Sequence, residues 1–127
     1  MTEEKIYSVA EATALLPYIA PALVELREKF EEAAKIRAAV AQAAVTNGGS
    51  SDRDGDRDKE NRTMARVTEL IERLEEWQVE LRDIETGLID FPSRMGDEQV
   101  WLCWRLGEPS VAYFHRRDEG FAARKPL

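Results

Sequence analysis

Val100-Trp101-Leu102-Cys103-Trp104-Arg105-Leu106-Gly107-Glu108-Pro109-Ser110-Val111-Ala112-Tyr113-Phe114-His115-Arg116 is the stretch whose reading decides the fold. Apolar residues alternate on both sides of a Gly-Glu-Pro-Ser break, which predicts a β-hairpin in an otherwise helical chain. Val100, Leu102, Trp104 and Leu106 share one strand face, wholly apolar and expected to lie on helices, while Trp101, Cys103 and Arg105 share the other. The stretch also holds two of the three tryptophans, the only cysteine and the only histidine.

Outward from the hairpin, Leu88-Ile89-Asp90-Phe91-Pro92 is a short extended run closed by proline, as suits an edge strand. Ser93 to Glu98 reads as a turn. With Gln99–Leu106 and Val111–Arg116 this makes a three-stranded antiparallel meander, and residues 117–127 read as an irregular tail with Phe121 as an anchor. Further upstream, Val67, Leu70, Leu74, Trp77, Leu81, Ile84 and Leu88 recur at spacings of three and four. That pattern predicts a helix from Arg62 to Glu85, capped by Gly87. A second seam of Leu23, Leu26, Phe30, Ala33, Arg37, Val40 and Ala44 predicts a partner helix, so the two form a long antiparallel hairpin with coiled-coil-like packing. These stripes read as core or dimer seam rather than as a cofactor box. Residues 47–61, from Asn47-Gly48-Gly49 through Asp52-Arg53-Asp54-Gly55-Asp56-Arg57-Asp58, form a flexible polar interhelical loop in this reading. A calcium loop fails there in either register: from Asp52, Arg57 falls on the turn glycine, and from Ser50, Asn61 falls on the bidentate glutamate. At the start, Ser8 and Glu11 form a capping box for a short N-terminal helix that Pro17 ends. The expected fold is therefore α+β, a single domain over residues 1–127.

A charge of −7 with little clustered Lys or Arg argues against nucleic acid, whose binding draws on phosphate neutralisation. One cysteine gives no intrachain disulfide, and Met1-Thr2-Glu3-Glu4-Lys5 lacks a secretory apolar run, so the expected localisation is cytoplasmic. No uninterrupted apolar run approaches the roughly eighteen residues of a membrane span, and no membrane partner is expected.

Tyr7-Ser8-Val9-Ala10-Glu11-Ala12 with Leu15-Leu16-Pro17, then Gly87-Leu88-Ile89-Asp90-Phe91-Pro92, then Trp104-Arg105-Leu106-Gly107-Glu108-Pro109, His115 and Gly120-Phe121-Ala122-Ala123-Arg124 form a recognisable set. On these motifs the chain resembles the bacterial domain-of-unknown-function family 2203 over nearly its whole length outside the polar loop. It departs from the family's pattern in that longer loop and in Phe114, where a tryptophan is common. The resemblance implies no activity, cofactor or catalytic residue set.

The candidate chemistry sits on the hairpin and its exit. His115 is the only imidazole available for proton transfer or metal ligation, set against its ordinary role as a hydrogen-bonded core residue. The parity of the turn places it. An even loop puts His115 with Leu102 and Trp104 and away from Cys103, and an odd loop puts it with Cys103 and Arg105; the even register is expected. Arg105 with Glu108 reads as an ion pair pinning the turn, or as an anion site in which Arg105 is flanked by Trp101 and Tyr113. Trp101, if helices cover only one sheet face, needs a cover from the tail, a partner or a ligand. His115-x-x-Asp118-Glu119 is the weak metal candidate, with Asp90 or Glu108 able to approach; no metal or other cofactor is expected as the leading case. Cys103 as a nucleophile needs a base that the even register does not supply. The leading expectation is a binding or regulatory module, homodimeric, with its contact or ligand surface on the C-terminal hairpin and a protein or small anion as partner. The alternative is a small enzyme or metal-binding protein using Arg105, Glu108, His115 and Asp118/Glu119.

Overall fold

The computed structural model describes residues 3–47 and 53–127. Two helices, α1 (Val9–Asn47) and α2 (Arg53–Glu76), form the hairpin, and a five-stranded antiparallel sheet follows in the order β1-β2-β3-β4-β5. The strands are β1 (Glu80–Asp83), β2 (Leu88–Met95), β3 (Glu98–Arg105), β4 (Tyr113–Arg116) and β5 (Lys125–Pro126). The fold class is thus α+β with a helical hairpin, and five strands replace the three expected.

The capping box forms as read: the Ser8 amide donates to Glu11 Oε1 at 3.0 Å and the Glu11 amide to Ser8 Oγ at 3.1 Å. The break expected at Pro17 does not occur, because α1 runs unbroken through Pro17 and Pro21. The two prolines are four residues apart and both exposed, so they share the solvent face, where the carbonyls they leave unbonded can turn to water. On the opposite face Ala12, Leu16, Ile19, Leu23 and Leu26 are buried against Val67, Leu70 and Leu74 of α2 and against the sheet. By length and composition α1 qualifies as a membrane-crossing helix, with a window of mean hydropathy 1.4. That window has no uninterrupted apolar run, and 33% of it, the stripe from Ala12 to Leu26, is buried inside the fold. Further out, Arg66 clamps Glu25 through Nε at 2.6 Å and Nη2 at 2.8 Å, and Arg37 pairs with Glu60 at 2.9 Å.

The expected loop over residues 47–61 is largely helix. Its residues 48–52, on which the calcium reading partly fell, lie outside the described residues, while Arg53 onward belongs to α2. The mixed charges that suggested a solvated loop also suit a helix, since Asp56 precedes Lys59 by three and Asp58 precedes Arg62 by four. At its other end α2 stops at Glu76, nine residues short of the Glu85 expected from the periodicity. A Schellman motif closes it: the Val79 amide donates to the Leu74 carbonyl at 3.1 Å and the Gln78 amide to that of Glu75 at 2.9 Å. Gln78 takes the left-handed conformation (φ 57°) usually given to glycine. Its side chain holds the N-terminal segment in return, accepting from the Lys5 amide at 2.8 Å and donating to the Glu3 carbonyl at 3.1 Å. Gly87 (φ 66°) instead turns β1 into β2.

β2 is an interior strand rather than an edge, and it continues past Pro92 to a tight turn at Gly96-Asp97. Proline is tolerated because the Pro92 carbonyl accepts from the Tyr7 amide at 2.8 Å. A residue's N–H and C=O point to the same side of a strand, so the missing donor faces the Tyr7 side and costs no bond to β3. The tail expected to be irregular carries a short 3-10 helix, Phe121–Ala123, and β5, which pairs with β4. Ile89, Phe91, Leu102 and Trp104 line the sheet face on the helices, as the alternation in the hairpin predicted.

Candidate functional site

The register of β3 with β4 pairs Trp101 with His115 and Cys103 with Tyr113, leaving an odd number of residues in the connection. This corrects the even register: His115 lies with Trp101, Cys103 and Arg105 on the face away from the helices. The reason is local. Gly107 at φ 105° and the Glu108 amide bonded to the Arg105 carbonyl at 3.0 Å turn the chain, and the Trp104 indole then donates to the Glu108 carbonyl at 3.0 Å. Pro109 and Ser110 follow as irregular chain, and β4 begins only at Tyr113.

His115 is nevertheless buried, at 2% exposure, because its own face carries a buried polar cluster. Asp90, paired across β2 and β3 with Cys103, is equally buried at 2%. His115 Nε2 lies 3.1 Å from both Asp90 oxygens, and Nδ1 lies 3.0 Å from the Arg116 carbonyl. A carbonyl only accepts, so Nδ1 donates; the Nε2 contact then holds one proton between the ring and the carboxylate. Arg82 completes Asp90's shell, with Nε 2.9 Å from Oδ2. Arg82 is the extra residue of a β1 bulge, where the register shifts between Leu81 and Asp83. Such bulges re-aim a side chain, and this one puts a guanidinium beside a buried carboxylate.

Cys103 is buried beside this pair, and Asp90, Cys103 and His115 place an oxygen, a sulfur and a nitrogen within 4.8 Å of one another. Burial, reinforced by the negative charge of Asp90 and partly opposed by Arg124, pushes the thiol up to about 11. That is the reverse of an activated nucleophile, and both nitrogens of His115 are already engaged by oxygen. The cluster floors a cavity of about 360 Å³ walled by Arg82, Leu88, Arg117, Asp118, Glu119 and Phe121.

The other sequence candidates take structural places around it. Trp101 is covered by two guanidiniums, Arg117 at 4.1 Å and Arg82 at 4.9 Å from its ring centre. Arg117 is anchored by the Val100 carbonyl at 3.1 Å and by Glu4 at 2.6 Å. Glu108 pairs with Arg124, through contacts of 3.0 and 2.8 Å, and it also accepts from the Arg105 amide at 2.7 Å; the expected Arg105–Glu108 side-chain pair is replaced by this one. Burial drives the Glu108 carboxyl upward, but Arg124 and the Arg105 amide outweigh it and hold the group below its ordinary range. Arg124 also stacks on Tyr113 at 3.9 Å and on Phe121 at 4.3 Å. The Arg105 guanidinium lies 5.5 Å from the Phe121 ring and not between Trp101 and Tyr113. Asp118 and Glu119 sit on the cavity wall rather than in the buried cluster, and Glu119 accepts from the Arg116 amide at 3.0 Å.

Sequence reasoning reached His115 and named Asp90 as able to approach, but passed over Arg82, Arg117 and Arg124. Asp90 had a signal: a carboxylate alternating with Ile89 and Phe91 inside an apolar strand needs a buried partner. No curated protein and no solved structure matches the chain. A family model matches residues 5–127, and the chain belongs to the family of uncharacterized conserved proteins DUF2203.

Proposed function

We propose that this chain is a small binding module for a divalent transition metal of the zinc class, held by Asp90, Cys103 and His115 on the sheet face away from the helices. The observation that carries the reading is the convergence of these three buried donor atoms, from three adjacent strands, on one point at the floor of a cavity. Mixed carboxylate, thiolate and imidazole donors suit a borderline cation, and three protein ligands leave a fourth position open toward the cavity. His115 is prepared as a ligand in the usual way, its Nδ1–H tied to the Arg116 carbonyl so that Nε2 faces the ion. The ion takes the place of the proton between Nε2 and Asp90, and a coordinated Cys103 loses its proton whatever its metal-free value.

Cobalt(II) titration of protein purified without a histidine tag tests this. One equivalent is expected to produce a thiolate-to-cobalt charge-transfer band in the near ultraviolet. Cys103→Ser abolishes the band, and His115→Ala and Asp90→Asn weaken binding by more than about tenfold, since even outer-shell changes cost that much. Absence of the band in the natural chain, or its persistence in Cys103→Ser, overturns the reading. Circular dichroism identifies any variant that has not folded, in which case the conservative Cys103→Ser carries the test.

A further inference from the structure

Resting on the metal reading, we infer that the site takes a second component: a small carboxylate that occupies the open metal position and pairs with Arg82. Arg82 is bound on one edge only. Its Nε faces Asp90 and its plane lies over Trp101, while among the described residues its Nη atoms have no acceptor. It is 42% exposed and lines the same cavity as the three donors.

The charges set what can enter. Without metal, the proton held between His115 and Asp90 already offsets the Asp90 carboxylate, so Arg82 carries a net positive charge at the site before the ion enters as well as after. A divalent ion with Asp90 and Cys103 as anionic ligands and His115 as a neutral one forms a neutral centre, so Asp90's charge is taken up by the ion. The positive charge of Arg82 thus stays uncompensated at the edge of a buried site, and a guanidinium fork there matches a carboxylate. Arg117 does not compete for that role, because its Nε is held by the Val100 carbonyl and its Nη2 by Glu4. Asp118 and Glu119 in the same lining disfavour a more highly charged guest such as phosphate. Leu88 and Phe121 provide apolar surface for a short carbon chain. A small molecule with one carboxylate, one oxygen of which takes the open metal position while the other faces the Arg82 fork, and with a short carbon chain, fits this combination.

The two components are thermodynamically linked, each tightening the other. Glycolate is the probe. Cobalt affinity and the cobalt spectrum are measured with and without it, for the natural chain and for Arg82→Gln and Arg82→Lys. Saturating glycolate is expected to shift the visible cobalt bands and to tighten cobalt about tenfold, a common size for such coupling. Arg82→Gln removes the tightening, and Arg82→Lys restores part of it. The ratio with and without glycolate is what counts, because a purely positioning role of Arg82 toward Asp90 changes cobalt affinity alone and leaves the ratio intact. Cobalt binding that glycolate does not alter, or that it alters equally in Arg82→Gln, overturns this inference and leaves the metal reading standing. Phosphate acting as well as glycolate overturns the carboxylate assignment. Absence of cobalt binding overturns the metal reading beneath both.

Discussion

Asp90 holds a carboxylate in the middle of an interior strand, with Arg82 on one side and His115 on the other. Removing it leaves a buried imidazole facing nothing, so Asp90→Ala is expected to lower stability by about 3 kcal/mol, near the lower end for a broken buried pair because Arg82 can turn to water. Urea unfolding midpoints measure this, and a loss under about 1 kcal/mol contradicts it. Glu108 makes a pH-dependent contribution of known sign. Its folded carboxyl lies below the ordinary value, so the stabilisation is present above the unfolded carboxylate range, about pH 4.3, and is lost as pH falls through the lowered folded value. Glu108→Gln should therefore be less stable than the natural chain at pH 7, with the gap closing on acidification; a gap that widens in acid refutes the assignment. The residues of this site were only partly readable from the chain. His115 stood out as the lone imidazole, but its neighbours depend on one turn, and Gly107-Glu108-Pro109-Ser110 suits either parity by composition. Arg82, Arg117 and Arg124 were hidden because a bulge and a returning tail, both long-range features, bring them in.

Among the elements, the apolar hairpin face and the two helical seams are local periodic signals; the hairpin face appears in the fold, while of the seams Leu23, Leu26, Ala33, Val67, Leu70 and Leu74 are buried and Phe30 and Arg37 are exposed. The ends of elements were harder to read. Leu81, Ile84 and Leu88 continue the three-four spacing of Leu70, Leu74 and Trp77, yet Leu81 and Leu88 belong to strands; what ends α2 is the Leu74–Val79 closure with Gln78 left-handed. Gly87 was recognised as a left-handed glycine but assigned to the wrong element. A Cβ there would stand 2.6 Å from Leu106 Cβ at a φ of +66°, so Gly87→Ala is expected to cost about 2 kcal/mol or more and to loosen the β1–β2 turn. Pro17 gives the opposite prediction. It lies inside a continuous helix on the exposed face, where proline forgoes a backbone bond and crowds the preceding turn. Pro17→Ala should therefore raise stability by about 1–2 kcal/mol, less than the full helix-interior penalty because proline also restricts the unfolded chain. Thermal melts decide it, and a destabilised Pro17→Ala would show that the helix needs the proline there.

In the molecule as a whole, burial is concentrated at one end. Tyr7, Ile19, Leu26, Leu70, Leu74, Phe91, Leu102 and Trp104 belong to one cluster joining both helices to the sheet. Along the helical hairpin, among the described residues, no buried apolar side chain lies beyond Ala33 on α1 or before Val67 on α2. At about 1.5 Å per residue, the stretch from Ala33 to Gln42 already extends some 13 Å past the last buried residue of α1. Helix–helix contact there rests on pairs such as Arg37–Glu60, whose arginine is 74% exposed, and surface ion pairs add little. Local opening is easiest where few apolar contacts hold the backbone, so the free energy of opening should fall along the hairpin away from the sheet. Native-state hydrogen exchange is expected to show the slowest amides at Leu16–Leu26, Leu70–Leu74 and the β2–β3 ladder, exchanging with global unfolding. Amides from Lys35 to Val40 and from Glu60 to Arg62 should exchange through local opening, with protection at least about a hundredfold lower. Bound cobalt should raise protection across β2, β3 and β4 while leaving these outer helical amides unchanged, because no ligand of the metal reaches the hairpin. Equal protection along both helices would mean that the outer hairpin is held by contacts outside this chain.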